Sequence, residues 1–277
     1  MINSLAAQIP GETPRLDAQV LLAHVTGHNR TWLLSHPEAS LTTEQEKAIQ
    51  AATRQLVKGV PLPYVLGHWE FFGLDFIVTP SVLIPRPETE LLIEVALQLI
   101  RTHPGRVHHI LDIGTGSGII PITLATHVPH ARFMATDISS AAIKIAQENA
   151  ERHGVTDSIE FIQADLLPND MPTFPFELIC ANLPYIPTET LKALEIYGKE
   201  PTLALDGGVD GLDLIRRLIS VLSEKNMVEG LLLLEIEQRQ GQTVKTLAGE
   251  YFPGADIQIK KDLAGNDRLA IINILLQ

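Results

Sequence analysis

Cysteine occurs once, at Cys180, so no internal disulfide can form and the fold must rest on apolar burial. Positive charge is also scarce: 21 Lys and Arg stand against 33 Asp and Glu, a formal net charge of −12. Over most of its surface such a chain repels polyphosphate, which disfavours a broad nucleic-acid clamp, and no basic segment carrying aromatic side chains reverses this. Long hydrophobic runs are missing as well. Runs such as residues 230–236 fall far short of the roughly 18 to 20 apolar residues that a membrane helix needs. The opening Met1-Ile2-Asn3-Ser4-Leu5 has no basic stretch ahead of an apolar core, and the expectation is a cytoplasmic protein with no membrane partner.

What is present suits a folded chain. Apolar residues make up 45% and charged residues 19%, enough for a sizeable core, and 277 residues suffice for about two domains. Leu16, Val20, Leu21 and Ala23 recur at helical spacing, and after Leu41-Thr42-Thr43-Glu44 a second stretch places Ala48, Ile49, Ala52 and Leu56 on one face. No strand alternation interrupts residues 1–67, which read as a small all-helical domain ended by Lys58-Gly59-Val60-Pro61. Two short aromatic and β-branched runs on either side of Gly73 then predict a β-hairpin, within a linker over 68–87.

From 88 to 277 strands and helices alternate. A helical stripe of Leu91, Leu92, Val95, Ala96 and Leu99 is followed by buried strands at 107–113, 132–136, 159–163, 178–181 and 231–236, a βαβ pattern. Strands at 257–260 and 269–274 are joined by a turn with Gly265-Asn266, too short for a helical crossover, so they must run antiparallel. A Rossmann-like parallel sheet ending in an antiparallel hairpin is the α/β arrangement of class I S-adenosylmethionine-dependent methyltransferases.

The loop Gly114-Thr115-Gly116-Ser117-Gly118 follows a strand and opens an apolar helix, where glycine lets the backbone turn tightly and approach a ligand. Asp137 comes 19 residues later, after the next strand, where a carboxylate accepts from both ribose hydroxyls. The G-x-G-x-G spacing without a basic residue suits a ligand lacking pyrophosphate, so S-adenosylmethionine fits better than NAD. Asp165, after the third strand, is placed to meet an adenine amino group, or to be a solvent-facing loop carboxylate.

The fourth strand leads into Asn182-Leu183-Pro184-Tyr185, at the carboxyl end of the sheet where ligands bind. The Asn182 side-chain oxygen and the Leu183 carbonyl can accept the two N–H bonds of one NH2 group, aligning its lone pair with a sulfonium methyl. Pro184 restricts the loop, and the Tyr185 ring can pack on a flat substrate group. An exocyclic amino group of adenine would suit the same loop, which makes an N6-adenine methyltransferase acting on DNA or RNA the alternative reading. Arg86 and Glu88 either border the methyl pocket or serve as a loop salt bridge and a helix-start carboxylate. With no Cys or His partner at ligand spacing, His108 and His109 read as structural, no metal is expected, and Cys180 reads as a small buried strand residue.

Over nearly its whole length the chain resembles the HemK/PrmC family, the glutamine N5-methyltransferases of peptide-chain release factors. The most distinctive match is Ile84-Pro85-Arg86-Pro87-Glu88-Thr89-Glu90. Others are Pro14-Arg15-Leu16-Asp17-Ala18, residues 59–67, residues 182–186, Glu200-Pro201, Asp210-Gly211-Leu212 and residues 261–265. The resemblance implies methyl transfer from S-adenosylmethionine to the glutamine amide of the Gly-Gly-Gln motif in class 1 release factors. It further implies that the helical domain helps hold the release factor, that residues 114–118, Asp137, Leu166 and Asn182 contact the cofactor, and that residues 182–185 hold the glutamine. Two positions depart from the family pattern: Leu183 stands where proline is usual, and Leu166 where a tryptophan is.

Overall fold

The computed structural model describes residues 1–102, 109–172, 174, 176–225 and 228–274. The chain divides into two compact units, 1–69 and 70–277.

The first unit is helical: α1 (Ile2–Ala6), α2 (Pro14–Thr26), α3 (Arg30–Ser35), α4 (Thr43–Val57) and α5 (Leu62–Leu66). Helix α2 opens on Pro14, whose missing N–H is no loss in a first turn, and ends at Gly27 in the left-handed conformation. Helix α4 opens with a reciprocal cap, in which Thr42 Oγ1 accepts from Gln45 N and Gln45 Oε1 from Thr42 N. The stripe of α2 is rotated from the one the apolar spacing predicts, whereas in α4 Ile49, Ala52 and Leu56 are buried as expected and only Ala48 is not. Leu16 and Ala48 face solvent, whereas Ala18, Gln19, Leu21 and Leu22 of α2 and Ile49, Ala52, Thr53 and Leu56 of α4 are buried. Two polar residues fall inside those faces, each with a partner: Thr53 donates to the Ile49 carbonyl, and Gln19 accepts from Arg30. A hydrophobicity pattern passes over such residues.

Strands β1 (His68–Phe71) and β2 (Leu74–Ile77) pair as a hairpin around Phe72-Gly73, both with positive φ (52° and 75°), as a two-residue turn of this hand demands. The regular pairing stops at Ile77, so only the first half of the expected 68–87 segment is hairpin.

Beyond it lie α6 (Glu90–Thr102), β3 (His109–Ile113), α7 (Ile119–His127), β4 (Arg132–Asp137), α8 (Ser140–Arg152), β5 (Ile159–Gln163), β6 (Phe176–Ala181), α9 (Thr188–Ala193), α10 (Asp213–Lys225), β7 (Val228–Glu235), α11 (Gly241–Tyr251), β8 (Asp256–Lys261) and β9 (Asp267–Asn273). The sheet order is β5-β4-β3-β6-β7-β9-β8; the first five strands are parallel, and β9 runs antiparallel to both β7 and β8. Residue alternation sorts two cores. Ile110, Phe133, Leu178, Cys180 and Leu233 face α6 and α7, while Leu111, Ile113, Ile179, Leu232 and Leu234 face α10 and α11. Helix α7 is almost wholly apolar because nearly every side is covered. Of the predicted 107–113 strand, Val107 and His108 lie outside the described residues.

Candidate active site

Strand register assembles the site. Ile113 pairs with Thr136 and with Ala181, and Ala181 pairs with Leu234. The next residue of each strand or loop, Asp137, Gly114, Asn182 and Glu235, therefore emerges at one level along the carboxyl edge of four neighbouring strands. A cavity of about 820 Å³ opens there, within the usual size for a small-molecule site.

The glycine loop forms its floor. Gly114, Gly116 and Gly118 all have positive φ, and the Gly114 and Thr115 amides both donate to the Thr136 carbonyl at 2.9 Å. A Cβ on Gly114 would also stand 3.0 Å from Leu183 Cδ2 and oblige that side chain to shift, so space adds to the positive φ in favouring glycine there. Asn149 of α8, fully buried, supports the loop from below: its Nδ2 donates to the Ser117 and Ile77 carbonyls and its Oδ1 accepts from Ile77 N.

Asp137 lines the cavity and accepts from Gly116 N at 2.9 Å and Ser139 N at 2.8 Å. Burial raises its pKa, and the two amide hydrogen bonds oppose that rise. A carboxylate has about four acceptor positions, so about two remain for a vicinal diol. Asp165 also reaches the cavity, with one oxygen held by Arg217 of α10 at 2.8 Å. Leu166 lines the wall in a left-handed conformation (φ 63°), where its carbonyl accepts from Thr136 Oγ1 at 2.7 Å. Thr115 and Ser117 complete the lining near the loop.

Asp112, one residue ahead of Ile113 on β3, is a feature that the motif reading passed over. It is 1% exposed, neither carboxylate oxygen has a hydrogen-bond partner among the described residues, and burial pushes its pKa up to about 7, with Thr115 opposing and Asp137 adding to the rise. Asp112 does not itself line the cavity; it lies within β3, behind the glycine loop. The glycine-loop floor, the apolar wall and the Asp137 carboxylate with acceptor positions to spare thus fit S-adenosylmethionine, a nucleoside joined through a cationic sulfur to an amino acid.

On the opposite side, Asn182, Leu183 and Pro184 line the cavity. Asn182 Nδ2 donates to Thr89 Oγ1 at 3.0 Å, and Thr89 Oγ1 donates to Glu235 Oε2 at 2.7 Å. Among the described residues nothing donates to Asn182 Oδ1 or to the Leu183 carbonyl, so two acceptors stand next to each other on one turn. Tyr185 behaves differently from the expectation. It is not part of the cavity lining; its hydroxyl donates to Glu235 Oε1 at 3.1 Å, and its backbone carbonyl accepts from Gln240. The phenol therefore anchors the turn. Gly207 lies so close that a Cβ there would meet the Pro184 carbonyl oxygen and Tyr185 Cα at 2.8 Å.

Arg86 combines both readings offered for it: it lines the cavity, and it pairs with the buried Glu200 at 2.5 Å. Glu88 lies outside the cavity at the start of the single turn Pro87–Thr89. His109 stacks on Phe174 at 4.0 Å and lies away from the cavity, as does Cys180, fully buried within β6 with its thiol pKa raised by burial. His108 lies outside the described residues. Thr89 lies in the distinctive 84–90 match but was given no role there, Glu235 and Asn149 carried no motif signal, and only the fold brings the three to the site.

Residues 3–67 match the model of the PrmC N-terminal domain, and residues 110–196 that of a methyltransferase domain. The release factor glutamine methyltransferase of Moorella thermoacetica is 43% identical over 258 residues, covering 93% of this chain and 90% of that protein. The enzyme of the same name from Bacillus anthracis is 38% identical, with coverage of 92% and 91%. Among solved structures, the human METTL16 catalytic domain in complex with an RNA hairpin aligns with a TM-score of 0.61 at 15% identity, covering 84% of this chain and 81% of that one. The METTL16 N-terminal domain in complex with SAH aligns at 0.54 and 17% identity, covering 74% and 77%. At such identities these structures share the fold, and the alignment carries no more than that.

Proposed function

Because this chain belongs to the release factor glutamine methyltransferase family, we propose that it transfers a methyl group from S-adenosylmethionine to N5 of the glutamine in the Gly-Gly-Gln motif of class 1 release factors, in the cytoplasm. In this reading residues 1–67 form a substrate-recognition domain, 68–87 a linker, and 88–277 the methyltransferase domain. The observation that carries the proposal is the pair of free acceptors, Asn182 Oδ1 and the Leu183 carbonyl, on a turn held beside the glycine loop.

A glutamine amide nitrogen is a poor nucleophile because its lone pair is delocalised into the carbonyl. Two acceptors on one turn take both N–H bonds, fix the plane of the NH2 group and favour its pyramidal form, in which the lone pair is available. As positive charge develops on nitrogen, both hydrogen bonds strengthen, and one of the two N–H protons is then released to water, leaving the neutral N-methyl amide. Bound S-adenosylmethionine supplies an electrophilic methyl on a sulfonium that leaves as a neutral thioether. The residues proposed to hold it are Gly114, Thr115, Gly116, Ser117, Gly118, Asp137, Asp165, Leu166 and Asn182. Pro184 narrows the turn's conformational range, and the Leu183 side chain, packed toward Gly114, supplies rigidity where a second proline ring is missing.

The test is mass spectrometry of release factor incubated with the protein and S-adenosylmethionine, against a release factor with the Gly-Gly-Gln glutamine replaced. A gain of one methyl on the first and none on the second is expected. Asn182→Ala should lower turnover about 100-fold or more while cofactor affinity changes far less, as removal of an oriented hydrogen-bond partner does. Label appearing in RNA or DNA and not in release factor would reverse the assignment.

A further inference from the structure

Asn182 can serve as an acceptor only if its carboxamide points the right way. Rotated by half a turn, the same side chain presents NH2 to the cavity and repels the N–H bonds of an incoming amide. Resolving the two orientations is a question of where protons come from. Thr89 has one hydroxyl proton and gives it to Glu235 Oε2 at 2.7 Å. Its oxygen can then only accept from Asn182, which must present Nδ2 to it, at 3.0 Å, and Oδ1 to the cavity. Thr89 is fully buried and Glu235 is 2% exposed, so bulk water does not supply a substitute donor or acceptor.

We infer that Thr89 and Glu235 are positioning residues that fix the polarity of the Asn182 carboxamide, and so decide that this site receives an N–H-bearing amide and disfavours a carboxylate. This rests on the reading above that the turn grips a glutamine side chain. Glu235 does so as an acceptor from two sides, since Tyr185 Oη donates to its other oxygen at 3.1 Å. The two ends of the turn 182–185 are thereby tied to one carboxylate. A protonated Glu235 would donate to Thr89, Thr89 would donate to Asn182, and the carboxamide would turn over. Burial raises the pKa of Glu235; the hydrogen bonds from Thr89 and Tyr185 and the nearby Arg268 charge lower it, and Glu88 raises it. Acid should therefore switch the site off through this group, at a pH above the ordinary glutamate range.

The experiment compares wild type, Thr89→Val, Thr89→Ser and Glu235→Gln for turnover on release factor, for S-adenosylmethionine affinity by calorimetry and for the pH dependence of turnover. Thr89→Val keeps the volume and removes the proton relay; turnover is expected to fall about 10- to 100-fold with cofactor affinity within about two-fold of wild type. Thr89→Ser should restore most of that loss. In Glu235→Gln the acidic limb of the turnover profile should disappear, an effect that a merely structural role would not produce. Thr89→Val turning over as wild type does, or Glu235→Gln keeping the wild-type acidic limb, overturns the inference while leaving the methyltransferase reading in place. Should Thr89→Val fail to fold, the Glu235→Gln profile decides. Wild-type protein that leaves release factor unmethylated defeats the function itself and this assignment with it.

Discussion

Asp112 shows what a single residue can hide in a motif. The sequence offers it as one more letter before the glycine loop; its total burial and lack of partners are visible only once β4 and β6 flank it. With a pKa raised from 3.8 to about 7, the folded protein holds a proton there that the unfolded chain has released throughout the interval between those values. Unfolding therefore becomes easier as pH rises from about 4 to about 7, and the contribution is flat above that. The full span corresponds to at most roughly 4 kcal/mol. Urea unfolding of wild type and Asp112→Asn across this interval should show the difference between the two proteins shifting in favour of the variant as pH rises. Parallel curves would mean that Asp112 is ionised, and compensated, throughout.

Among elements, legibility follows how strongly local chemistry dictates geometry. The parallel strands were readable because strands covered on both faces are continuous apolar runs, and the final antiparallel pair because Gly265-Asn266 leaves no room for a crossover. The hairpin turn was readable from Gly73. The face of α4 was readable from Ile49, Ala52 and Leu56, with Thr53 added to it, whereas that of α2 was offset because Gln19 is buried with a partner that the sequence does not reveal. The site was half readable on the same grounds: the glycine loop and the turn at Asn182 have signatures, whereas Thr89, inside a recognisable motif, and Glu235, outside any, gain a role only when register and packing place them. The segment after that turn was the least readable, yet it governs the turn's position, since Gly207 N also donates to the Ile186 carbonyl at 2.9 Å. Gly207→Ala would push Cβ against Pro184 and Tyr185 backbone atoms, displacing the two acceptors by a few tenths of an ångström or more. Turnover should fall about 10-fold or more while S-adenosylmethionine affinity, set mainly on the β3 and β4 side, holds. Unchanged turnover would show that the turn tolerates such displacement.

At the scale of the whole molecule, charge separates the two chemistries that a turn like 182–185 can serve. Glutamine and adenine both present a planar NH2 group, and the shared fold with an RNA-bound domain does not choose between them. The substrates differ in their surroundings. An RNA or DNA enzyme must hold a polyanion, and binding at physiological salt draws on several Lys or Arg contacts to phosphate, with affinity falling steeply as salt rises. This chain carries −12 and would meet such a partner with net repulsion. Fluorescence anisotropy with an RNA hairpin and a DNA duplex at about 150 mM salt should accordingly show dissociation constants no tighter than the roughly 10⁻⁴ to 10⁻⁶ M of non-specific binders, whereas release factor should bind more tightly. A nucleic-acid complex tighter than that range, losing affinity with a steep salt slope, would mean that the 21 basic residues are gathered into a phosphate-binding face despite the overall balance. Asn182 would then have to be understood as gripping a base in place of a side chain.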